Sequence, residues 1–161
     1  MGYTHYWRFH RDKMTTEDIR NTFKAVAEEI QEIYKNLPLF PKTGYNTDYP
    51  IIIKGGLGEG EPIINETEVW FNGDEELGND YETFTINWKD TEPFGFCKTA
   101  RKPYDLFVCL ALLSFTEYFP SDVFTLSSDG DAEDWQDAVD LYNKITGKEV
   151  PNPFETEEVE A

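Results

Sequence analysis

In residues 16 to 37 the apolar side chains Ile19, Phe23, Val26, Ile30, Ile33 and Leu37 recur every three or four positions, and most of what lies between them is charged or polar. That spacing puts the apolar set on one stripe of an α-helix, with Thr15 and Asp18 as an approximate capping box and Pro38 as the stop. A surface helix lying on a sheet is predicted. A different pattern runs from residue 106 to 115, where almost every position is apolar. Pro103 suits the first position of a helix there, and a helix apolar all round must be buried. A third helix follows "SSDGDAED", with Trp135, Ala138, Val139, Tyr142 and Ile145 on its inner face, Asp129 or Asp131 as its cap and Gly147 as its stop.

Alternation marks the strands. "GYTHYWRFH" places Tyr3, His5, Trp7 and Phe9 on one face and Thr4, Tyr6, Arg8 and His10 on the other. Both faces carry something to bury, so a strand covered on both sides, near the middle of a sheet, is expected. Residues 67 to 71 and 81 to 88 read as two strands joined by an acidic, Gly-containing hairpin loop, with Phe84, Ile86 and Trp88 facing one side. "FGFC" and "DVFTLSS" supply further short strands. Between residues 38 and 65 the chain is irregular, with "PLFPKTGYNTDYP", the run Ile51, Ile52 and Ile53, and then "GGLGEGEP". Those glycines match neither GxGxxG opening a helix nor a Walker loop, and read as a flexible connection.

The order β-α-β-β-β-(β)-α-β-α predicts one α+β domain over residues 1 to 147, with a mixed or mostly antiparallel sheet and about three helices. Residues 148 to 161 hold one lysine, five glutamates and two prolines. They read as a disordered acidic tail.

Composition narrows the class. At 161 residues the chain suits one core, and 39% hydrophobic with 16% aromatic residues is too much apolar content for a disordered protein. Cys97 and Cys109 form no disulfide framework or Cys/His metal pattern, and buried, reduced thiols are expected. No signal peptide or membrane span is legible, which points to the cytoplasm, the host cytoplasm if the protein is phage-encoded. The 32 acidic and 14 basic residues give a formal net charge of −18, so ordinary nucleic-acid binding through phosphates is not expected. The same charge admits a DNA mimic that inhibits a host defence protein.

Against that charge, two basic clusters stand out. Lys98, Thr99, Arg101 and Lys102 immediately precede the buried helix, whose N-terminus offers free N–H groups to an anion, with Tyr104 and Asp105 in its first turn. "HYWRFHRDK" brings His5, Arg8, His10, Arg11 and Lys13. If the two meet, they make a positive, aromatic-lined pocket suited to small anions. No catalytic constellation or cofactor motif is legible: His5 and His10 point to opposite strand faces, and Cys97 beside His5 reads better as core than as a nucleophile with its base.

The blocks "MGYTHYW", "VWFNG…ETF", "FCKTARKPYD" and "SSDG..EDW" resemble a family of small bacteriophage and bacterial proteins in which they occur in this order. The resemblance spans most of residues 1 to 145 and excludes the 38 to 60 loop and the glutamate tail. It brings no activity with it. It implies a functional set of His5, Tyr6, Trp7, Asn72, Lys98, Thr99, Arg101, Tyr104, Asp105, Ser128, Asp129 and Gly130. The working expectation is a phage-type binding protein that sequesters a nucleotide immune signal, a cyclic dinucleotide or an ADP-ribose derivative. Arg8, Lys98 and Arg101 would neutralise phosphate, Tyr6, Trp7 or Tyr104 would stack a base, and Asn72, Thr99, Ser128 and Asp129 would read its edge or a ribose hydroxyl. A homo-oligomer with the ligand between subunits is compatible with this. The rival is an enzyme acting on a nucleotide or phosphoester, with His5 or Asp105 as acid/base.

Overall fold

A computed structural model describes residues 2–39 and 50–155. The chain runs β1 (Thr4–Phe9), a short 3-10 turn (Arg11–Lys13), α1 (Thr16–Lys35), β2 (Ile63–Ile64), β3 (Glu68–Phe71), β4 (Phe84–Asn87), β5 (Phe94–Lys98), α2 (Asp105–Tyr118), β6 (Phe124–Ser128) and α3 (Ala132–Thr146). The fold is α+β, as its pattern predicts. The strands form two three-stranded antiparallel sheets, ordered β5-β1-β6 and β2-β3-β4.

Helix α2 is the axis of the molecule. Its residues 105 to 115 are all buried, as an all-round apolar sequence requires. The stripes of α1 (Ile19, Phe23, Val26, Ile30, Ile33) and α3 (Trp135, Ala138, Val139, Tyr142) close over it. From the second sheet, Phe71 brings its ring centroid to 4.6 Å from that of Phe107, and from the first, Phe9 packs on Phe115 and Phe119. Thr15 caps α1 by accepting from the Asp18 N–H. Asp131 and Asp134 form the reciprocal capping box of α3, and Gly147 ends it at φ 74°.

Three expectations need correcting. Strand β1 is central in its sheet, but only its odd-numbered face is covered along its whole length: on the other face Thr4 is buried, Tyr6 half-buried and Arg8 exposed. "GGLGEGEP" is a packed turn and not a flexible connection. Gly55, Gly56 and Gly58 are buried, and a Cβ on Gly56 would sit 2.1 Å from Trp70 Nε1. The first part of the acidic tail packs on α3: Phe154 lies against Trp135 with ring centroids 4.9 Å apart, and Asn152 donates to the Ala132 carbonyl at 2.7 Å. Its last six residues, and 40 to 49 of the irregular loop, lie outside the described residues. No helix among the described residues is long and apolar enough to cross a membrane.

Candidate functional site

The residues singled out in the sequence fall into two groups on opposite faces of β1. The inner group is a buried polar network. His5 is fully buried at the centre of the sheet, with Nδ1 2.7 Å from Ser128 Oγ and Nε2 2.7 Å from Asp105 Oδ1. Thr99 Oγ1 donates to the same Asp105 oxygen at 2.5 Å, and Cys109 Sγ lies 3.6 Å from His5 Nε2 and 3.8 Å from Asp105 Oδ2. Asp105 opens α2, so the anion at this helix N-terminus is the protein's own carboxylate, delivered from inside.

Hydrogen counting fixes the tautomer. Ser128 Oγ accepts from the Gly130 N–H at 2.9 Å and the Trp135 Nε1–H at 3.1 Å, which occupies both lone pairs of a hydroxyl. Its one hydrogen therefore goes to His5 Nδ1, and the ring hydrogen sits on Nε2 and is donated to Asp105. Ser, His and Asp stand in line, but the hydroxyl has no free lone pair with which to attack. The same count bears on metal binding. His5 Nε2, an Asp105 oxygen and Cys109 Sγ lie within 4.8 Å of one another. A metal there would have to displace the Nε2 hydrogen and its bond to Asp105.

Around the network the neighbours are positional. Tyr3 and Trp135 set their ring edges against His5, each at 5.0 Å between centroids. A Cβ at Gly130 would meet Tyr3 Oη at 2.1 Å, which explains glycine in "SSDG". Ala100 and Arg101 take left-handed backbone, φ 51° and 59°, strained for residues with a Cβ. That turn folds the Arg101 guanidinium over Tyr3 at 3.8 Å, with Nη1 3.4 Å from Asp134. Burial pushes the Tyr3 and Tyr104 phenols and the Cys97 thiol above their ordinary values.

The single basic pocket does not form. Tyr3, under Arg101, and Arg8 are five residues apart along the strand, about 16 Å, and on opposite faces. Thr99, Tyr104 and Trp7 are buried; Tyr104 donates to the Glu82 carbonyl at 2.6 Å, and the Trp7 ring lies on Phe84. Asn72 spends its amide on Gly56, Gly73 and Tyr81, with all four bonds at 3.2 Å or less. Asp129 accepts from the Thr4 N–H. Lys98 lies 5.9 Å from the Tyr81 ring, and Lys102 donates to the Gly78 carbonyl. Cys97 stands opposite His5 across the strands, but its thiol donates to the Glu82 carbonyl at 3.4 Å.

The outer group is smaller. On the even-numbered face of β1, Tyr6 stands opposite Phe96 and Ser127, and Arg8 opposite Phe94 and Thr125. The Arg8 guanidinium lies 5.3 Å from the Phe94 ring centroid, and Phe94 meets Phe96 edge-on at 5.9 Å. Phe94 and Phe96 are 38% and 54% exposed, an unusual choice for a face open to water among the described residues. A groove of about 320 Å³ runs along Tyr6, Arg8, Phe94, Thr125 and Ser127.

Sequence reading missed three members of the inner network: Cys109, Trp135 and Tyr3, all assigned to packing. The signal was Asp105 itself. A carboxylate heading a wholly apolar helix has to be paired from within, and Cys109, four residues on, shares its face. Phe94 and Phe96 were missed because "FGFC" reads as core. No family model, curated protein or solved structure matches the chain.

Proposed function

We propose that this protein binds a small planar anion of the nucleotide class on the open face of the β5-β1-β6 sheet. The observation that carries the reading is the row of Tyr6, Phe94 and Phe96 beside Arg8 on a sheet face that nothing covers among the described residues. Exposed rings cost water contacts, and a stacked base removes that cost; a guanidinium over a ring edge then meets the phosphate. The hydroxyls of Thr125 and Ser127 border the same groove and suit a ribose or base edge. The groove's size fits a mononucleotide-sized group. A long polyanion is disfavoured by the field of a −18 molecule, which a small ligand with one or two phosphates meets far more weakly.

The finer reading is sequestration of a nucleotide immune signal, a cyclic dinucleotide or ADP-ribose derivative, in the cytoplasm of an infected bacterium. It draws on the resemblance of the four sequence blocks to phage and bacterial proteins. The test is to incubate the protein with a panel of such nucleotides, remove unbound material, denature it by heat and identify what is released by mass spectrometry. Recovery of an intact nucleotide, lost in both Arg8→Ala and Phe94→Ala, is the expected result. A chemically altered product would move the reading to an enzyme. Nothing bound, or binding unaffected by both substitutions, would overturn the assignment to the open face.

A further inference from the structure

A cavity of about 720 Å³ lies at the far end of β1, between the Arg11–Lys13 turn, the first turn of α1 and the loop joining β4 to β5. Its wall includes Phe9, Arg11, Ile19, Trp88, Lys89 and Pro93. Arg11 is the unusual member. Its Nη1 donates to the Phe9 and Glu92 carbonyls at 3.4 and 3.3 Å, and its Nη2 to the Asn87 carbonyl at 2.8 Å. Its Nε is buried with no partner, and the guanidinium carbon lies 4.1 Å from the centre of the Phe9 ring.

None of these partners is a carboxylate. The ion pairs among the described residues are His5–Asp105, Arg101–Asp134 and Lys148–Glu29, and Arg11 is in none of them. In a chain with 32 acidic residues to 14 basic ones, a half-buried arginine left without a carboxylate runs against the odds set by composition. Burial pushes this guanidinium below its ordinary value, opposed by Asp90 from a distance. A desolvated cation of this kind gains from any anion that reaches it. Lys89 adds a second cation to the same cavity, with Nζ 5.4 Å from the Trp88 ring centroid. Phe9, Trp88, Ile19 and Pro93 make one part of the wall apolar or aromatic, His10, Thr16 and Thr91 add polar groups, and Asp12 and Asp90 at the same cavity oppose a ligand with many charges.

We infer that this cavity is a second ligand site, distinct from the open sheet face, and that it takes a small aromatic monoanion of the aryl carboxylate class. The carboxylate pairs with Arg11 and Lys89, and the ring lies against Trp88, while the buried Phe9 ring backs the Arg11 guanidinium from beneath. The cations make the site selective for charge and the aromatic wall for a flat body, so neither feature alone is enough.

Benzoate is the probe. It is titrated into the folded protein while the Trp88 indole and Arg11 Nε–H resonances are followed by NMR, with acetate and benzyl alcohol as the charged-only and aromatic-only controls. Saturable shifts at Trp88 and Arg11 with benzoate, at least about tenfold weaker with either control, are expected, as the loss of one charge-assisted contact implies. Lys89→Ala weakens benzoate binding severalfold, and because Lys89 is exposed the variant stays folded. Arg11→Lys, which keeps the charge but not the fork to three carbonyls, weakens it further. Equal shifts with benzyl alcohol would reduce the cavity to an apolar hole. Shifts centred on Phe94 and Tyr6 would assign the probe to the open face, and no saturable shift at all would overturn the inference.

Discussion

A single hydroxyl decides what the interior of this protein can do. Because Ser128 accepts two N–H groups, His5 must carry its hydrogen on Nε2, and the Ser–His–Asp line becomes a structural brace. Replacing one member strands the others in the dry interior. His5→Ala and Asp105→Ala are each expected to cost about 3 kcal/mol or more in urea unfolding, and Ser128→Ala about 1–3 kcal/mol. Values within 0.5 kcal/mol of wild type would mean that the network holds nothing. At this scale the sequence was half legible. His5, Thr99, Asp105 and Ser128 were singled out together and do meet, but as partners of one another. Residue type and position mark them as special, whereas the face of β1 on which each sits, and the exhaustion of their hydrogen-bonding capacity, exist only in three dimensions.

At the scale of elements, the three helices are joined by one carboxylate. Glu29 of α1 accepts from Ser114 and Tyr118 of α2 at 2.9 and 2.7 Å, from the Tyr142 hydroxyl of α3, and from Lys148 Nζ at 2.6 Å. Burial pushes its carboxyl upward, but the bonds from Lys148, Tyr142, Tyr118 and Ser114 outweigh it, and the net direction is down. A carboxyl lower in the folded than in the unfolded state stabilises above its unfolded value of about 4.3, and the contribution fades as pH falls through the folded value. The urea midpoint of wild type should therefore exceed that of Glu29→Gln at pH 7, with the gap closing as the pH is lowered below about 4. A constant gap would locate the effect in packing alone. Lys148 belongs to this junction, and Asn152 bonds to Ala132 and Gln136 at the other end of α3, so this part of the tail packs on the fold despite its composition. The helices themselves were legible because each stripe is local. Glu29 was not, since on the α1 pattern it is one more polar position.

At the scale of the whole molecule, the formal charge of −18 works against compactness at every distance within the screening length. Raising NaCl from about 0.01 to 0.5 M at pH 7 should raise the melting midpoint by about 3 °C, equivalent to about 1 kcal/mol. A fall would mean that attractive pairs dominate the surface. The alternation patterns led to one sheet where there are two, because period two reports a half-buried strand and says nothing of its neighbours. Here those neighbours are remote: β1 pairs with β5 and β6, and His5 reaches Ser128 across 123 positions. The order of synthesis gives that remoteness a cost in time. Strand β1 has no edge to join until β5 is made, and its sheet is incomplete until Ser128 has emerged. Helix α2, apolar on every side, is translated before both β6 and α3, the last of its covering elements. A nascent chain therefore carries an unpaired strand and then a greasy helix exposed while the elements that cover them are made, which makes its yield in the cell depend on chaperones and on translation speed as well as on the stability of the finished fold.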